Sequence, residues 1–207
     1  MHIDSALEMG SSGGVERIRR VQVLTIAWML AEAGVSLFSA WRAHSSALLA
    51  FGGDSAVELV SAVVVLWTFR TTAPHHDQER WGTRVAGALL FVLALCVAVT
   101  SVLTLSGHSE SQPSITGMVI LLLAAVVMPW LAKEKRRLSA ATASAALRAD
   151  AAQSAICAYL SLIALLGVGV NTVWHIRWAD PLAALLILPL VIWEGRESLR
   201  GKPCGCR

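Results

Sequence analysis

The chain has 207 residues, 56% of them hydrophobic and 15% charged, with a formal net charge of +3. At a mean hydropathy of +0.62 it has too little polar material to cover a water-soluble globule of this length, so the lipid bilayer is its solvent. The basic balance does not indicate a nucleic-acid partner, because Lys and Arg flank apolar runs instead of forming one stripe.

Residues 1–16 are polar and Gly/Ser-containing, with no short apolar core ahead of a small-residue cleavage site, and are expected to be a disordered cytoplasmic tail rather than a secretory signal. A membrane domain over 17–200 follows, then a short cysteine-containing tail, 201–207. Spanning takes roughly 20 mostly apolar residues. Six stretches qualify, at about 21–40, 47–69, 83–105, 115–131, 145–173 and 181–193, the last continuing toward Arg200 with its charges at the interface. The predicted architecture is all-α, a bundle of six transmembrane helices.

Orientation follows from the basic residues, which stay on the cytoplasmic side. Arg17, Arg19 and Arg20 precede helix 1, and Arg70, Arg80 and Arg84 separate helices 2 and 3. Lys133, Lys135, Arg136, Arg137 and Arg148 separate helices 4 and 5, and Arg196, Arg200, Lys202 and Arg207 end the chain. Only Arg42 and Arg177 fall on the other side, so fifteen of the seventeen basic residues predict both termini in the cytoplasm. Trp41, Trp81, Trp130, Trp174 and Trp178 fall near helix ends, where indoles prefer the interface.

The chemistry lies in the polar groups inside these apolar runs. Glu32, in helix 1, suits a proton relay, a pathway residue or a partner for a polar group on another helix. In helix 2, Asp54 and Glu58 each cost on the order of 2.5 to 3.5 kcal/mol to insert near the bilayer centre. Their four-residue spacing puts both on one face, and a divalent cation favours both ionised forms, which makes a proton-for-metal exchange site. The bland alternative is a pair of protonated carboxyls hydrogen-bonded to neighbouring helices. Gly52 and Gly53 just before them allow close helix approach.

Between helices 2 and 3, His75, His76 and Asp77 form a loop cluster that either collects metal or is simply solvated. In helix 5, Asp150, Gln153, Ser154 and Cys157 share one face; Asp150 near its start is either a transport residue, an N-terminal helix charge or an ion-pair partner of Arg148. Asp180, directly before Pro181, reads as an N-cap more than as a ligand. Cys204 and Cys206 would be reduced thiols able to chelate a soft or borderline ion, though two thiols make an incomplete site. No Ser/His/Asp or HExxH constellation is visible, so no enzymatic activity is expected.

These residues resemble a known family, the cation diffusion facilitators. Ser46-Ala47-Leu48-Leu49-Ala50 followed by Asp54-Ser55-Ala56-Val57-Glu58 is similar to the family's S-x-A-L-x-A-x-x-x-D-x-x-x-D pattern, and Ala146-Leu147-Arg148-Ala149-Asp150 to the opening of its L-R-A-D-x-x-H-x-x-x-D pattern. Ala179-Asp180-Pro181 matches the start of its sixth helix. The resemblance implies a proton-coupled exporter of zinc, cadmium, cobalt, manganese or iron, zinc first among them, working as a homodimer in a bacterial inner (plasma) membrane. It implies a tetrahedral site shared by helices 2 and 5, which here comprises Asp54, Glu58, Gln153 and Cys157. The sequence departs from the pattern at Glu58 (Asp in the family), Gln153 (His) and Cys157 (Asp), and the family's cytoplasmic domain has no counterpart in these 207 residues. The alternative is a membrane protein that binds metal, or regulates a partner transporter, without transporting.

Overall fold

The computed structural model describes residues 4–68, 76–142 and 145–200. Among them are six helices and no strand: α1 (Asp4–Ala43), α2 (Ser46–Thr68), α3 (His76–Leu105), α4 (Ile115–Thr142), α5 (Ala145–Trp174) and α6 (Ala179–Leu199). Four carry stretches long and apolar enough to cross a bilayer, Arg19–Ala43, Arg84–Leu105, Ile115–Ala141 and Asp150–Trp174. The other two, α2 and α6, carry the acidic residues Asp54, Glu58, Asp180 and Glu194.

Several helices outrun their apolar cores. α1 begins at Asp4, so the expected disordered tail is helical backbone from there, and α3 begins at His76, which moves His76 and Asp77 from the expected loop into a helix. α4 continues to Thr142, past the expected end at 131. Counting apolar residues finds the membrane-buried part of a helix, but extending a helix already nucleated is cheap, and Lys, Arg and Glu extend one well. His75, Cys204 and Cys206 lie outside the described residues.

α2 occupies the middle, packed against α1, α3, α5 and α6; α4 covers α5 and α1, and α3 lies along α6. Met29, Leu48, Phe51, Leu121, Met128, Leu160 and Ile187 fill the core, while Leu30, Phe38, Leu95, Val126, Leu166 and Leu186 point outward, as a lipid-facing surface requires. The same burial takes in Thr25, Glu32, Ser36, Asp54, Ser55, Glu58, Lys135, Ser154 and Asn171. The bundle therefore encloses ionisable groups within an otherwise apolar core.

One end is tightly knit. α1 and α5 stop at His44 and His175, both in the left-handed region at φ 50° and 58°. The α3–α4 connection is held to α1 by the Gln112 N–H, which donates to the Ala43 carbonyl at 2.7 Å, and to α5 by the Asn171 amide, which donates to the Ser111 carbonyl at 3.2 Å. Arg177 forms an ion pair with Glu110 across the same end, where Trp41, Trp174 and Trp178 are exposed as an interfacial belt requires.

Candidate metal site

Asp54 and Glu58 stand one turn apart on α2, and both face α5. Carboxylate oxygens of the pair and the Cys157 sulfur of α5 all lie within 4.8 Å of one another. All three residues are buried, with Asp54 and Cys157 each 1% exposed. Neither oxygen of Asp54 nor either oxygen of Glu58 has a hydrogen-bond partner. A buried carboxylate is ordinarily satisfied by donors, so four orphaned oxygens beside a sulfur form a donor set shaped for a cation. Two carboxylates this close repel each other, and a divalent ion between them turns repulsion into attraction.

Glu32 of α1 stands behind the sulfur and is fully satisfied. The Ser55 hydroxyl donates to Glu32 Oε1 at 2.6 Å, the Trp28 indole N–H to Oε2 at 2.6 Å, and the Cys157 thiol to Oε1 at 3.5 Å. Glu32 is thus bonded to polar groups on α1, α2 and α5. It also fixes the direction of the Cys157 thiol.

Gln153, one turn before Cys157, is only partly buried. Asp150 finds its partner on α4, where the Lys135 ammonium donates to its Oδ1 at 2.9 Å. Lys135, placed by its sequence context in a cytoplasmic loop, is completely buried because α4 runs on past it. Asp180 is not the cap of its own helix. The α6 N-cap is Trp178, without a side-chain bond, and the Asp180 carboxylate instead serves the start of α2, accepting from the Ser45 hydroxyl at 2.5 Å and the Ser46 N–H at 2.8 Å.

Glu194 of α6 is a further buried carboxylate that sequence reasoning missed, outside the group formed by Asp54, Glu58 and Cys157. Expected at the interface, it is 3% exposed, and its Oε2 has no partner. Its charge acts on both Asp54 and Glu58. The signal was present in a helical stripe: Ile187, Val191, Glu194 and Gly195 are all buried and recur at offsets of four, seven and eight.

A helical membrane bundle that keeps unpaired carboxylates in its interior defines a protein built to handle cations. The chain belongs to the cation efflux family, whose transmembrane domain matches residues 23–201, and so to a family of transporters. It is 28% identical over 191 residues to the uncharacterized transporter sll1263 of Synechocystis sp., covering 88% of this chain and 62% of that protein. To the uncharacterized transporter YdbO of Bacillus subtilis it is 27% identical over 153 residues, covering 70% and 52%. To the manganese efflux system protein MneS of Bacillus subtilis it is 24% identical over 190 residues, covering 87% and 62%. The chain thus spans somewhat more than half the length of these relatives.

Proposed function

We propose that this protein exports a divalent metal cation from the cytoplasm in exchange for protons, through a site formed by Asp54, Glu58 and Cys157, with Gln153 as a neutral fourth ligand. The observation that carries this reading is the set of four buried, unpartnered carboxylate oxygens beside the Cys157 sulfur. Ligands must shed protons to bind metal, so loading releases protons and protonation releases metal. Two carboxylates with a thiolate suit zinc or another borderline ion such as cadmium or cobalt, and the oxygen donors also accept manganese or iron, the first of which is what MneS is named for exporting. The skew of basic residues supports both termini in the cytoplasm, and a bacterial inner membrane and a homodimer complete the reading.

The test is flux. In sealed proteoliposomes under a pH gradient, wild type moves zinc or manganese, and Asp54→Asn lowers the rate by roughly 100-fold, at the upper end of what disturbing a metal site's surroundings costs, while the variant still elutes as folded protein. Full transport by Asp54→Asn removes that residue from the site. Metal binding without any wild-type flux favours instead the non-transporting metal binder, to which the unusual Gln153 and Cys157 point.

A further inference from the structure

Among the residues whose burial is described, Lys135 is the only buried lysine or arginine. An ammonium inside a membrane bundle is costly unless paired, and its pairing here is specific. It donates to Asp150 Oδ1 at 2.9 Å and to the Ser154 hydroxyl oxygen at 2.8 Å. The Ser154 hydroxyl donates in turn to the Asp150 carbonyl at 3.2 Å, which leaves its oxygen free to accept from the ammonium. Among the described residues, Asp150 Oδ2 is buried without a partner. Ser154 lies three residues before Cys157, about 4.5 Å along the helix axis, so the ammonium is bonded to α5 just under one turn before the residue that carries the sulfur.

A site that must release its cargo cannot bind it as tightly as its ligands allow. We propose that Lys135 is a tethered counter-cation of the metal site, a positioning residue whose charge, held between α4 and α5 by Asp150 and Ser154, weakens the grip of Asp54 and Glu58 on a divalent ion so that it is released. The inference rests on the proposed site. It adds that affinity is set from outside the ligand set, by a charge whose opposition to the metal falls or rises with its hold on Asp150.

The test is a charge cycle on the full-length chain, with zinc and manganese as probes, reading the dissociation constant in detergent and the flux in sealed vesicles. Lys135→Met binds both ions on the order of tenfold more tightly, since a fixed like charge is gone, yet transports more slowly, with its half-saturating concentration lowered. Asp150→Asn leaves the ammonium uncompensated and shifts affinity the opposite way. Lys135→Arg keeps wild-type binding. The double variant Lys135→Met with Asp150→Asn removes both charges, so neither member of the pair is left without the other, and returns binding toward wild type even where Lys135→Met alone folds poorly. A merely structural ion pair would not give opposite signs for its two members. Unchanged or weaker binding by folded Lys135→Met, or a double variant that stays shifted, overturns the counter-cation. Wild type that binds neither ion overturns the metal site and this inference with it.

Discussion

Glu194 brings a carboxylate into the bundle from a helix surface whose neighbouring positions look outward: Trp193 and Arg196 are exposed, while Glu194 and Gly195 are buried. With Oε2 unpartnered among the described residues, the residue would, on the proposed function, cost stability in the metal-free protein and recover it when a cation arrives. Glu194→Gln should therefore raise the melting temperature of the metal-free protein and lower its divalent affinity roughly 10-fold or more, the cost of altering a metal site's surroundings. Thermal unfolding and zinc titration on the same sample measure both; a fall in melting temperature with unchanged affinity would make Glu194 a packing residue. Asp54 and Glu58 were legible in the sequence because a carboxylate in an apolar run is expensive wherever it points. Lys135 and Glu194 were not, since each stands at the end of an apolar run among other charges, where composition suggests water. What separates Lys135 from exposed Lys133, Arg136 and Arg137 is helical phase: Met128, Leu131, Ala132, Lys135, Leu138 and Ser139 are the buried positions. That phase is readable only once the helix is known to continue.

At the scale of elements, close approach between helices sets where these side chains lie. A Cβ on Gly52 would stand 2.8 Å from the Ser36 Cβ and 3.0 Å from the Leu37 nitrogen, so α1 and α2 meet nearly backbone to backbone just before Asp54. α3 and α6 do the same at Gly87, where a Cβ would stand 2.8 Å from the Gly195 carbonyl oxygen and 2.9 Å from the Leu199 nitrogen. The neighbouring atoms there are backbone, which has nowhere to turn. Gly87→Leu should push α3 off α6 and destabilise the bundle by about 1 to 3 kcal/mol, the usual cost of overpacking, and should weaken metal binding through the displaced Glu194. A melting curve and a zinc titration unchanged from wild type would show that the crossing does not position it. The Gly52–Gly53 pair was recognisable in the sequence as a place for contact. Its partners were not, because a small residue says that something comes near without saying which helix.

For the molecule as a whole, large apolar side chains face outward, a small set of ionisable groups, Glu32, Asp54, Glu58, Lys135, Asp180 and Glu194, is buried, and the three connections at the end containing Trp41, Glu110 and Trp178 are short or bonded to one another. The all-helical architecture and the six helices followed from hydropathy alone, since a membrane leaves the backbone few options; the arrangement with α2 at the centre did not, because nothing in the order of apolar runs says which pack together. The expected orientation assigns the His108 end to the outside and the Lys133 end to the cytoplasm. In a cysteine-free background, an impermeant maleimide applied to intact cells should label His108→Cys and spare Lys133→Cys until the membrane is opened. The reverse pattern would invert the topology and turn export into uptake.

The Asp180 carboxylate binds the first residues of α2 and stands in the first turn of α6, which makes that end of the two helices a pin. Asp54 lies about 12 Å from the pin along α2, and Glu58 about 18 Å. A lever fixed at one end moves most at the other: a tilt of about 10° carries Asp54 by about 2 Å and Glu58 by about 3 Å. Against a stationary α5, the second displacement is enough to separate Glu58 from the Cys157 sulfur. On the proposed site, a carboxylate that never touches the metal would thus set which of its ligands lets go first.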